Sequence, residues 1–532
     1  MAAITVRAFN GISPKTPPRY LNDQQAQTAD NCDVFRGSLR PLKGLGATVA
    51  TVVGTAQTIY KFGQDNDNPA TGWLSWSSDV DVARSQIAGD TEEWTFYTGD
   101  GIPKAIRAGY VNSPIPLGLP APSANVSTSL GADPADTTTL IQETRVYTYT
   151  YVNKVGARAV ESSPAPGSTS VDVWPGQSVS LSGFLTPPSG YSATHVRIYR
   201  SVSGVFLFVA EVTLASAIGG YLDVVDAEDL AEEIPSLYWL PPPDTLSGLI
   251  NLPNGVMAGF SGRDIYFCEP YIPHAWPDSY RQTIDYPVVG LGRMDTTLAV
   301  LTKGTPYFIQ GSHPDSMVIV KSDIEQACMS KRSVVSFNNM VLYASPDGLV
   351  ALTPGGSRLI TQDLYSPDQW QAAFEPTSIV AFHTDMKYIA FYDNGTTTGS
   401  FVYDFSTNQF ALNDVYSSVG YHNLRDDTLY LMVSGDIKSW NTGSELTYQW
   451  RSKLFGMPRP MGMSCFQVEA ESYPLTAKIY ADGTLLHTQT VANRFPFRLP
   501  VITARDWEFE ISGTSEVFSV SMAQSMGELE NG

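Results

Sequence analysis

Residues 254–270, NGVMAGFSGRDIYFCEP, read as an apolar run, a polar turn around Gly262 and Asp264, and a second apolar run. The same unit returns as DTTLAVLTKGTPYFIQG (295–311), NNMVLYASPDGLVALTPGG (338–356), DMKYIAFYDNGTTTGSFVYDF (385–405) and DTLYLMVSGDIKSW (427–440). Its turn glycines, Gly262, Gly304, Gly348, Gly395 and Gly435, stand 42, 44, 47 and 40 residues apart. Tight turns between strands often need a positive φ, which costs glycine least. A period of about 40–50 residues with short strands is that of a β-propeller blade. Upstream, EWTFYTGDGIPKAI (93–106) has the same form with Gly101 at its turn, so the expectation is an all-β chain built on a β-propeller of about six blades. A pair of β-sandwiches would also give short strands and turns, but the regular interval favours the propeller, one without WD or kelch signatures.

Outward from the repeat, the texture changes at LGLPAPSA (117–124) and YWLPPPDTLSG (238–248), proline-rich stretches of the kind that mark domain edges. Between them lie RVYTYTYVNKVGARAVESSPAP (145–166), QSVSLSGF (177–184), HVRIYRSVSGVFLFVAEV (195–212) and GYLDVVDA (220–227). Their order is similar to that of an immunoglobulin or fibronectin type III β-sandwich. Val146, Thr148 and Thr150 alternate with Tyr147, Tyr149 and Tyr151, as a half-buried strand requires. DAEDLAEE (226–233) lacks the ligand spacing of a calcium loop and reads as a solvated helical turn. Residues 1–45, with Pro14, Pro17, Pro18 and Pro41 and a polar QQAQTADN stretch allowing at most a short helix, read as an arm. After residue 444 the repeat stops, and strands with an Asp482–Gly483 hairpin turn suggest a small sandwich-like module or lid. The expected division is 1–45 arm, 46–117 first blade region, 118–245 inserted sandwich, 246–443 remaining blades and 444–532 C-terminal module.

The chain of 532 residues exceeds the size of one hydrophobic core, and its 43 Gly, 36 Pro and 27 Tyr suit turns and strands. Its formal charge of −20 argues against a surface that holds nucleic acid by neutralising phosphates, though a negative wall would let nucleic acid slide past. Cys32, Cys268, Cys328 and Cys465 are far apart, without metal-ligand or disulfide spacing, and read as buried thiols in a reducing compartment. No leader peptide and no apolar run of about 18 residues is present, so the chain is expected to be made in the cytoplasm with no membrane span.

No catalytic, cofactor or metal site is expected. His195, His274, His313, His383, His422 and His487 form no ligand motif and read as isolated, and nucleophile-elbow, phosphate-loop and dinucleotide motifs are absent. Propellers that cleave glycans place carboxylates around the channel. The candidates here are Asp264, Asp347, Asp385, Asp427 and Asp436, each of which more commonly tightens its own turn. SPDGLVAL (345–352) lacks the spacing and tryptophan of a sialidase aspartate box. Trp73, Trp76, Trp94, Trp276, Trp370 and Trp440 could stack sugars, but their place in or beside strands favours packing.

The layout resembles the tail nozzle, or tail hub, proteins of short-tailed bacteriophages. The resemblance is carried by PPRYLNDQQAQTADNCDVFRGSLRPLKG (17–44), LPNGVMAGFSGRDIYFCEPYIPHAWP (252–277), SPDGLVAL (345–352), QVEAESYPLTAKIYADG (467–483) and the late RLP and EFEISG. It implies a virion structural protein, not an enzyme. That protein forms a homo-oligomeric ring, usually of six copies, at the tail beneath portal and adaptor proteins, and its lumen retains the packaged double-stranded DNA and conducts it during ejection. Carboxylates facing such a lumen would repel the DNA backbone, and the arm would order against a neighbouring subunit or an adaptor. The inserted sandwich departs from the pattern. The alternatives are a receptor-binding or glycan-degrading tail component and a cellular propeller scaffold.

Overall fold

The computed structural model describes residues 4–63 and 68–530. The chain is all-β, built from many small antiparallel sheets. The repeat is realised as four-stranded meanders over residues 81–116, 247–283, 288–321, 335–359 and 380–413. A sixth sheet takes three strands, Gly420–Asn423, Thr428–Val433 and Asp436–Ser439, and completes itself with Thr48–Thr51 from near the N-terminus. A two-stranded hairpin, Thr58–Lys61 with Trp73–Trp76, lies between that strand and the first meander along the chain.

Burial within a meander follows strand position. Second strands are buried on both faces, as in Tyr388, Ile389, Ala390 and Phe391 of Lys387–Asp393, which pairs with Thr398–Asp404. Their continuous apolar runs are what a strand covered on both sides needs. The first strand Val288–Met294 alternates instead. It buries Val288, Gly290, Gly292 and Met294, leaves Val289 and Leu291 half-buried, and exposes Arg293. Gly356–Leu359, a fourth strand, is only partly buried.

Five of the six glycines picked out by the repeat lie in the turn between the second and third strands of their own sheets, and the sixth, Gly348, opens the third strand directly after that turn. Ser434 and Gly435 both have positive φ, 54° and 86°, and form the two-residue loop that closes the Val433–Asp436 pair. Gly101, Gly262 and Gly395 also have positive φ, and the Gly304 N–H donates to Thr302 Oγ1 at 3.0 Å. Gly348 differs. Its loop is Pro346–Asp347, and Gly348 itself pairs with Ser345 at the start of a strand. A side chain there would put Cβ 2.3 Å from Thr361 Oγ1, so this close approach and a φ of 152°, rather than the loop itself, require the glycine.

The chain divides into two compact units, residues 1–77, 299–307 and 321–532 in one and 78–298 with 308–320 in the other. In the first, the first strands Val335–Phe337, Val380–Thr384, Gly420–Asn423 and Thr58–Lys61 pack side by side in that order. The polar QQAQTADN stretch, expected to form at most a short helix in an arm, contributes the strand Ala26–Asp30. That strand meets Gln409–Asn413 through one parallel pair and Tyr448–Ser452 through an antiparallel ladder. Buried Ala26 and Ala29 are small enough to share a core with Phe410 and Trp450, and pairing overrides local preference. Residues 444–532 are likewise no separate module: Tyr448–Ser452, Phe455–Met461, Leu475–Ala481, Thr484–Val491 and Ala504–Gly513 continue the same ten-stranded sheet, Cys465–Ala470, Phe497–Arg498 and Val517–Ala523 form a second sheet with Ile4–Val6, and both sheets share the same core. The expected Asp482–Gly483 turn is present, both residues at positive φ. The 46–117 region is three pieces and not one blade, because Thr48–Thr51 belongs to the 420–439 sheet.

In the second unit, Ser247–Asn251 packs beside Asp81–Arg84 and Val288–Met294. Residues 118–245 form sheets of their own, with Tyr147, Tyr149, Tyr151, Val196 and Ile198 of one sharing a core with Val179 and Leu181 of another. Tyr147–Val155 is not half-buried as its alternation suggests. Thr148 and Thr150 are buried too, their hydroxyls donating to Ala165 O and Glu161 Oε1 at 2.7 and 2.8 Å. Residues 227–229 make a single exposed turn of 3-10 helix. Among the described residues no helix is long and apolar enough to cross a membrane.

Candidate functional site

The five candidate carboxylates do not converge on one centre. Asp264 accepts from the Thr283 hydroxyl, Asp347 from Gln326 Nε2 at 2.7 Å, and Asp436 from the Thr51 and Thr48 hydroxyls at 3.0 and 3.3 Å. Each of these ties a strand or turn to its neighbour. Asp385 and Asp427 are the two brought together, on one cavity of about 150 Å³. Phe35, Leu42 and Trp440 form its apolar side, and Lys387 lies 3.0 Å from Asp385.

Beside this cavity runs a row of rings that crosses three successive first strands. The ring centres of Phe337 and His383 lie 5.4 Å apart, and those of His383 and His422 lie 4.4 Å apart. His422 Nε2 is 2.7 Å from Asp427 Oδ1, and the Thr384 hydroxyl donates to the Asp427 carbonyl at 3.1 Å. Burial and the neighbouring His422 push the His383 imidazole down to about 4, partly offset by Asp427. The arrangement takes up a proton with difficulty at His383, and pairs His422 with a carboxylate. Reading the histidines as isolated missed this pair. The signal was their separation by one repeat, which puts them on adjacent first strands.

The remaining histidines are scattered. His274 is buried, accepts the Glu161 N–H on Nε2 at 3.3 Å, and is held well below the usual imidazole range by burial. The four cysteines are free and buried, and burial pushes Cys268 and Cys328 up to about 12. Among the described residues no group of three or more His, Cys, Asp or Glu side chains is placed to hold a metal ion. Trp94, Trp276, Trp370 and Trp440 are buried. Trp73 and Trp76 are half-buried in the 58–76 hairpin, and Trp73 packs edge-on against Tyr421 and Tyr430. These rings act as packing, not as a platform.

The first strands of the six sheets and of the 58–76 hairpin carry a single carboxylate, Asp81, which accepts the Gly248 N–H at 2.7 Å. The five acidic candidates, Asp264, Asp347, Asp385, Asp427 and Asp436, sit in turns and on later strands.

No protein-family model matches the chain, and no curated protein matches it. Solved structures give distant likenesses. The extracellular domain of the hybrid two-component system BT3049 from B. thetaiotaomicron is 10% identical, over 95% of this chain and 80% of that one, with a TM-score of 0.28. PorZ, a surface component of the type-IX secretion system of Porphyromonas gingivalis, is 10% identical over 89% and 82%, with a TM-score of 0.25. The AfRom2 CNH domain is 7% identical over 59% and 90%, at 0.26. Likenesses this distant say nothing of function.

Proposed function

We propose that this chain is a structural protein of the tail of a short-tailed bacteriophage, a β-propeller that assembles into a ring and conducts DNA. The propeller reading is supported by one observation above the others: six sheets place a glycine of the sequence repeat in, or directly after, the turn between their second and third strands. Completion of the 420–439 sheet by Thr48–Thr51 brings a strand from before the repeat into its last sheet, in the manner of a propeller whose closing blade combines strands from both ends of the chain. In this reading six four-stranded blades and the short 58–76 hairpin surround one axis, and residues 118–245 are an immunoglobulin-like insertion. The tail assignment is supported by the sequence resemblance. The partners are further copies of the chain, portal and adaptor proteins, and DNA in transit. Electron microscopy of virions with an antibody to the chain tests this: label at the tail with rings from purified protein supports it, and a chain absent from particles refutes it.

A further inference from the structure

In a chain of net charge −20, residues 483–505, GTLLHTQTVANRFPFRLPVITAR, hold no Asp or Glu and three arginines. Arg494, Arg498 and Arg505 are all exposed. So are four large apolar side chains of the same stretch: Leu485 at 50%, Phe495 at 71%, Ile502 at 41% and Val501 fully. The stretch is held together. The Arg505 and Asp506 N–H groups donate to Asp482 Oδ1 at the hairpin tip, both at 2.9 Å, and the Phe497 ring lies 6.2 Å from that of His487.

Its strand, Thr484–Val491, ends the ten-stranded sheet, with Leu475–Ala481 as its one neighbour there. Edge strands are normally guarded by charge, proline or shortness, because their free N–H and C=O groups recruit another strand. TLLHTQTV has eight residues, with no Asp, Glu, Lys, Arg or Pro among them.

We propose that this face docks a second copy of the chain, through an acidic surface of that copy. This deepens, and rests on, the ring reading above. Charge decides the occupant: residues 483–505 carry three arginines, with Asp482 and Asp506 only just beyond their ends, while the chain as a whole carries 53 acidic residues against 33 basic ones, so this stretch meets an acidic surface elsewhere on the copy. A contact between two unlike surfaces is head-to-tail, the kind that closes rings, whereas patch-on-patch pairing would oppose arginine to arginine. Exposed Phe495, Val501 and Ile502 suit a protein partner better than nucleic acid, whose backbone is gripped by charged and polar groups.

The test is sedimentation velocity on the full chain, over a range of protein and salt concentrations. It compares wild type with Phe495→Asp and with the combined Arg494→Glu, Arg498→Glu, Arg505→Glu variant. Each variant's fold is checked by circular dichroism and its urea midpoint. Wild type is expected to assemble, less strongly as salt rises, and both folded variants to weaken assembly on the order of a hundredfold. A monomeric wild type overturns the proposal, as does assembly indifferent to both variants. Binding of random-sequence duplex DNA by a monomer, lost in the arginine variant, overturns it in favour of nucleic acid. Rings that persist in the variants remove this patch and leave the ring reading standing.

Discussion

Acid should weaken the contact between the 380–413 and 420–439 sheets through His383. Its imidazole is pushed down from the ordinary 6.5 to about 4. A histidine with a depressed folded pKa contributes full stability above 6.5, and loses it as pH falls toward 4, because the unfolded chain takes the proton first. The gap corresponds to about 3 kcal/mol, which solvent reaching the half-buried ring reduces to about 1–2 kcal/mol. His383→Phe keeps a ring between Phe337 and His422 and removes the proton site. Urea midpoints at a series of pH values between about 7.5 and about 4 read the effect. Burial of His274 makes a similar acid penalty, but it is common to both proteins and cancels. The variant should match wild type near neutrality and exceed it by about 1–2 kcal/mol near pH 4. Parallel pH profiles would refute the assignment.

Gly348→Ala should cost about 2–4 kcal/mol, from the 2.3 Å approach to Thr361 Oγ1 and the loss of the Leu349 N–H bond to that hydroxyl. Combined with Thr361→Ala, the loss in urea midpoint should be smaller than the sum of the singles. Glu161→Ala strands the hydroxyls of Thr150, Tyr199 and Ser236 and leaves the Arg197 guanidinium with Glu211 alone, so about 2–4 kcal/mol is expected, read as faster proteolysis within residues 118–245. Asp30 is raised to about 6 by burial and by Asp414 and Glu510. Its folded form binds the proton first, so its penalty is present above pH 6 and is relieved as pH falls toward 4. Asp30→Asn should stabilise by about 1 kcal/mol at about pH 7.5, with no gain near pH 4, in thermal melts.

The glycine period was legible because backbone strain at a turn is local, and Gly101, Gly262, Gly395 and Gly435 all show the positive φ that it requires. Strand pairing over long distances was not. Nothing in TVAT announces that Thr48–Thr51 pairs with Asp436–Ser439, nor in AQTAD that Ala26–Asp30 lies between strands that begin at 409 and 448. Such pairs depend on which edges other segments leave open, a property of the whole fold. Buried threonines misled in the same way: Thr148 and Thr150 look like a solvent face until the Ala165 carbonyl and Glu161 arrive to satisfy them. For the candidate site, Asp385 and Asp427 were named from their turns, while the His383–His422 contact required knowing that one repeat's first strand lies against the next.

A cryo-electron microscopy map of the purified chain tests the proposed propeller most directly. Six four-stranded sheets and the 58–76 hairpin should surround one axis, with Thr48–Thr51 as the outer strand of the sheet that begins at Gly420. Sheets stacked as separate sandwiches, with no common axis, would contradict it.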